Sequence, residues 1–83
     1  MRTEEIEKAL SKRKQPSSPV QIRFKTRPAL KGLFLHTKDY EELSQKNLWR
    51  IVSEMNIDIY RQSGDENLAR IFNGTEFTKL EMI

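Results

Sequence analysis

The chain has 83 residues, no cysteine and one histidine, with 33% charged and 36% apolar residues and a mean hydropathy of −0.74. That composition excludes a disulfide framework, a thiolate metal site and the common zinc geometries within one chain, and no apolar run is long enough to span a bilayer. The net charge of +3 hides an asymmetry: residues 1–31 hold nine Lys/Arg against three Glu (+6), and residues 32–83 hold six against nine Asp/Glu (−3).

In chain order, residues 3–14 are expected to form a helix. Thr3 is placed as the N-cap, Glu4 and Glu5 fill the first turn, and Lys12, Arg13 and Lys14 complement the dipole in the last. Ile6, Ala9 and Leu10 make a narrow apolar stripe, so this helix leans on something else. Pro16-Ser17-Ser18-Pro19 ends it and runs extended.

Val20 to Thr26 alternates with period two. Val20, Ile22 and Phe24 point one way, and Gln21, Arg23 and Lys25 the other, which predicts a strand with Arg23 and Lys25 exposed. A second strand is predicted over Lys31–Thr37, apolar on both sides and therefore covered on both. Its Gly32 is read as a bend or bulge. The polar stretch 38–46 predicts a loop with one helical turn, and Asn47–Val52 a third strand with Trp49 at the centre of the packing.

Residues 55–66 admit two readings. Asn56 can cap a short helix closed by Gly64, or Ile57–Tyr60 can extend the third strand; the helix is preferred. Two further strands meet at Asn73-Gly74, a pair suited to the left-handed angles of a sharp reversal.

One helix followed by short strands predicts a mainly β domain over residues 1–83: a five-stranded, strongly bent sheet or small barrel spanning 20–80, with an N-terminal α-helix. A domain this small buries little core, so association into a homo-oligomer is expected. With no membrane span and no signal-peptide pattern, the expected location is the cytoplasm.

This order resembles the Sm-like fold of bacterial Hfq and the eukaryotic Sm and LSm proteins. Gly32, Asp39 and Asn47 stand in the order of that family's first motif, with a longer Asp-to-Asn interval. Ile71-Phe72-Asn73-Gly74-Thr75-Glu76-Phe77 is similar to its second, without the Arg that usually precedes the Gly. The resemblance implies that the Asn73-Gly74 corner sends strand five across to strand one. It also implies a ring whose pore is faced by Asn47 and Asn73. The segments Gly32–Phe34, Trp49–Val52 and Arg70–Phe77 further resemble small uncharacterised bacterial proteins, some of them labelled short-chain dehydrogenases. This chain has no G-x-G-x-x-G and is too short for a dinucleotide-binding domain.

For chemistry, His36 has no nucleophile arranged beside it and is read as structural. Asp39, Glu41 and Glu42 lack metal-loop spacing and are read as a solvated face. The aromatics Phe34, Tyr40, Trp49 and Phe77 are read as core before stacking platforms. No enzymatic activity and no cofactor are expected. The basic residues Lys12, Arg13, Lys14, Arg23 and Lys25, joined by Arg27 and Lys31, are the functional signal: a phosphate-binding patch for single-stranded RNA. The alternative is an interaction or assembly module in which this basic third docks on acidic surfaces without nucleic acid.

Overall fold

A computed structural model describes residues 1–83. Its elements are α1 (Thr3–Leu10), β1 (Val20–Phe24), β2 (Leu30–Phe34), α2 (Tyr40–Gln45), β3 (Leu48–Ser53), α3 (Glu54–Ser63), β4 (Arg70–Asn73) and β5 (Phe77–Met82), with 3₁₀ turns at Glu66–Leu68 and Gly74–Glu76. The five strands form one antiparallel sheet in the order β4-β3-β2-β1-β5. No helix is long and apolar enough to cross a membrane.

The sheet bends because its two edges are tied together. In a flat five-stranded sheet β4 and β5 would lie about 19 Å apart, four strand spacings. Three residues in a 3₁₀ turn advance only about 6 Å. Gly74–Glu76 therefore draws the edges toward each other, and the Phe24 ring comes to 5.9 Å from Phe72 and 5.4 Å from Phe77. The Lys25 N–H donates to the Glu76 carbonyl at 3.0 Å. No ladder joins β4 to β5, so the sheet is strongly curved but open.

The alternation in β1 works as the sequence implies: Val20 and Ile22 are fully buried inside the curve with Phe34, Trp49, Ile51 and Phe77, and α1 adds Ile6 and Leu10. β2 is apolar on its outer side because Leu33 and Leu35 pack with Val52 under Ile57 of α3. Residues 55–66 are thus mostly helix, closed by Gly64 in the left-handed conformation (φ 68°), but the helix begins at Glu54 after Ser53, so Asn56 lies in its first turn and does not cap it. α2 supplies the helical turn expected within 38–46.

Four other expectations are corrected. α1 stops at Leu10 instead of running to residue 14: Lys12 and Arg13 donate only three residues back, to Ala9 and Leu10. The residue before Pro16 is pushed out of the helical region, so the tighter turns prevail. Thr3 does not cap the helix; its hydroxyl donates to the Ser44 carbonyl at 2.6 Å and ties α1 to α2, while the Arg2 N–H is capped by Glu5. Gly32 is no bulge; it pairs regularly with Val20 and Ser53, and a Cβ there would run into Ile51. The register irregularity lies instead between Arg23 and Phe24, where Thr78 of β5 is left without a partner, which lets Phe77 and Leu80 both face inward.

Asn73-Gly74 does not form a left-handed reversal either. Asn73 is extended (φ −88°), and its carboxamide oxygen accepts from the Thr75 N–H at 3.0 Å to start the 3₁₀ turn. β5 then runs beside β1 and not back along β4.

One ion pair fixes the entry to α2. Asp39 takes Arg50 Nη2 at 2.8 Å and Nε at 3.3 Å and also accepts from the Thr37 hydroxyl. The hydrogen bonds from Arg50, then from Thr37, hold its carboxyl down at about 2, below the usual value of 3.8. A carboxyl depressed on folding stabilises above its unfolded value and loses that contribution as the pH falls through the folded one. Stability should therefore decline between about pH 4 and pH 2. Urea midpoints measured across that window should fall less steeply in Asp39→Asn than in the unmodified chain.

Candidate nucleic-acid interface

A polyanion-binding face needs cations that are exposed, close together and not already neutralised. α3 packs over Leu33 of β2 and Val52 of β3, while the outward residues Arg23 of β1, Lys79 of β5 and Lys31 of β2 are exposed. There Arg23 of β1 stands directly opposite Lys79 of β5. Two residues along, Gln21 lies between Lys31 of β2 and Glu81 of β5. Partners in an antiparallel ladder point to the same side, so Arg23, Lys79 and Lys31 share one face. The only carboxylate in contact is Glu81, whose Oε1 accepts from Arg23 Nε; the Arg23 side chain is still 52% exposed. Lys25 is exposed just past the end of β1.

The other expected residues divide. Lys12 and Lys14 are exposed on the segment between α1 and β1, near the start of β1, at the opposite end of that strand from Lys25. Arg13 is half-buried between them and works on the chain itself: its Nε donates to the Leu10 carbonyl at 3.0 Å and Nη1 to Pro16 at 3.1 Å. Burial lowers its pKa.

Asn47 is committed on every side. Its Nδ2 donates to the Met1 carbonyl and its Oδ1 accepts from Trp49 Nε1, both at 2.8 Å, and its own carbonyl accepts from the Gly74 N–H at 2.8 Å. It also carries the one positive φ outside glycine, 58°, which asparagine tolerates better than most residues. Asn73 is exposed, with its carboxamide oxygen held by both the N–H and the hydroxyl of Thr75. These two asparagines adjoin one another at the end of the β3–β4 ladder, where Asn73 pairs with Leu48. They do not join the cationic face.

Lys79 was not among the expected residues. The β1–β5 ladder links positions 56 apart in the chain, and its regular run from Val20–Met82 sets Lys79 opposite Arg23 just before the slip at Thr78. The alternation of β1 alone gives Arg23 its face but not its neighbour.

No protein family, curated protein or solved structure matches this chain.

His36 is exposed and lies flat against the Tyr40 ring, centroids 4.0 Å apart. Tyr40 in turn meets Trp49 edge-on at 5.9 Å. Burial, then the nearby charge of Glu7, raises the Tyr40 pKa. The histidine serves as one layer of an aromatic stack, and no cluster of three or more metal-ligating side chains is present.

Proposed function

We propose that the chain is a non-catalytic module of Sm-like type that binds single-stranded RNA along the outer face of β5–β1–β2. The observation that carries this reading is the direct opposition of Arg23 and Lys79. Like charges in cross-strand register are destabilising, and here Lys31 adds a third cation on the same face against one carboxylate. A phosphate backbone relieves that repulsion and releases its own counterions on binding. The Sm-like part is supported by β5 lying beside β1, by the three-residue 3₁₀ connection between the sheet edges, and by the helix packed against the curved sheet's interior.

The test is fluorescence anisotropy of a labelled 15-nucleotide oligouridylate against salt. The unmodified chain should bind at low salt. Removing two phosphate contacts with Arg23→Gln and Lys79→Gln should flatten the log–log salt slope by about 1.4. An unmodified chain that leaves the oligonucleotide free at low salt would end this reading.

A second reading, assembly without nucleic acid, has its own support. Both sheet edges are unpaired, and Ile71 on β4 is 49% exposed. The two separate when light scattering on nuclease-treated protein is read beside the oligouridylate titration, since an assembly module keeps a multiple of the chain mass and leaves the oligonucleotide free.

A further inference from the structure

At the end of the curve away from α1 the sheet interior is open, and two grooves meet there. One, of about 520 Å³, is floored by Leu30, Ile51, Leu68 and Phe72 and bordered by Arg27, Arg70 and Met55. The other, of about 400 Å³, lies on the far side of Arg27 between Phe24 and the outer edge of β4. Arg27 stands between them. Its guanidinium carbon lies 5.0 Å from the centre of the Phe24 ring and 5.6 Å from that of Phe72, a cation held on aromatic faces. Neither Arg27 nor Arg70 forms an ion pair within the chain. Two guanidinium groups without a carboxylate partner therefore border a trough with an apolar floor, with Glu54 also on its rim.

We propose that this trough is a docking site for an extended acidic peptide segment of another protein, with aliphatic side chains alternating with carboxylates. The guanidinium fork matches a carboxylate bidentately, and the Leu30–Ile51–Leu68 floor takes the aliphatic side chains. Length favours a peptide over a small acid. The apolar surface continues out of the trough along α3 from Met55, 82% exposed, to Ile59, 53% exposed and one turn further on the same helix face.

The lining also disfavours a nucleic-acid strand. The Phe24 and Phe72 faces on which bases would stack lie under Arg27, and Glu54 and Glu76 line the two grooves. A strand with a phosphate at every nucleotide meets those carboxylates. A peptide sets its acidic groups only at alternate positions and offers them main-chain N–H groups. This surface is separate from the Arg23–Lys79 face, so the two proposals stand or fall independently.

The probe is a fluorescein-labelled Leu-Glu-Leu-Glu-Leu-Glu peptide, read by anisotropy. Its analogues replace every Glu by Gln, or every Leu by Ser. Saturable binding of the first peptide is expected, with each analogue weaker by about tenfold or more. Arg27→Gln and Arg70→Gln should each weaken it by a similar factor, while the Arg23→Gln, Lys79→Gln double variant binds it unchanged. Both groove arginines are exposed, and far-ultraviolet circular dichroism checks the fold of each variant. Arg70 carries the test alone if loss of Arg27 from the two rings disturbs folding. Absence of saturable binding, or unchanged affinity in both arginine variants, overturns the proposal. So does displacement of the peptide by oligouridylate whose own binding is lost in Arg27→Gln and Arg70→Gln.

Discussion

Replacing Trp49 with alanine is expected to remove about 3–5 kcal/mol of stability, the usual cost of emptying a buried large aromatic site. A chain of this size has about 4–12 kcal/mol in total, so Trp49→Ala should lose about a quarter of its stability or more, and at the low end of that range it unfolds at room temperature. Trp49 is 2% exposed and meets Phe34 and Tyr40 edge-on at 6.0 and 5.9 Å. Its indole N–H also finds the Asn47 carboxamide at 2.8 Å, so no buried donor is wasted. Trp49→Phe separates the two contributions. It keeps an aromatic ring in the site and leaves the Asn47 oxygen without its donor, for an expected loss of about 1–3 kcal/mol. Urea unfolding must be followed by circular dichroism, because both variants remove the chain's one tryptophan. An alanine variant within 1 kcal/mol of the parent would mean that the core closes over the gap.

Gly74→Ala should be nearly as damaging, although it adds only a methyl group. A Cβ at that position would overlap the Asn47 carboxamide oxygen and come within 2.6 Å of Ile6 Cδ1, with Gly74 itself buried. Overfilling a packed site costs about 1–3 kcal/mol. Here the pushed group is the one that holds Trp49, the Met1 carbonyl and the β4–β5 turn together. The double-mutant cycle with Asn47→Gly tests this account. Glycine keeps the backbone at φ 58° and removes the overlapped oxygen, so the combined loss should be smaller than the sum of the single losses. Strict additivity in the urea midpoints would show that Gly74 and Asn47 act separately.

The parts of the fold that can be read from the sequence are those where one buried face imposes a period. β1 is legible because Val20 and Ile22 alternate with Gln21 and Arg23, and burial on one side enforces that pattern. β2 reads as covered on both sides because Leu33 and Phe34 are both apolar, and α3 is the cover. Asn47 reads as the first residue of the third strand, and the Sm-like resemblance sets it at a ring's pore. Its role rests on Met1, Trp49 and Gly74 meeting at one point, and no local pattern encodes that meeting. Arg13 reads as one of three equal cations. Only the early end of α1 turns it inward onto Leu10 and Pro16. The basic surplus of the first third is plain from composition, whereas the pairing of Arg23 with Lys79 depends on the register between strands far apart in the sequence.

The β1–β5 ladder also governs how the molecule can be made. Residues 20–24 lie far from residues 77–82 in the chain, yet one whole side of that strand pairs only with them. Until those arrive, Arg23 has neither Lys79 beside it nor Glu81 to neutralise it, and Val20 and Ile22 lack half their cover. Closing so long a loop is entropically slow. The β1 edge therefore stays open and cationic until β5 pairs with it, and formation of this ladder is a late step in folding.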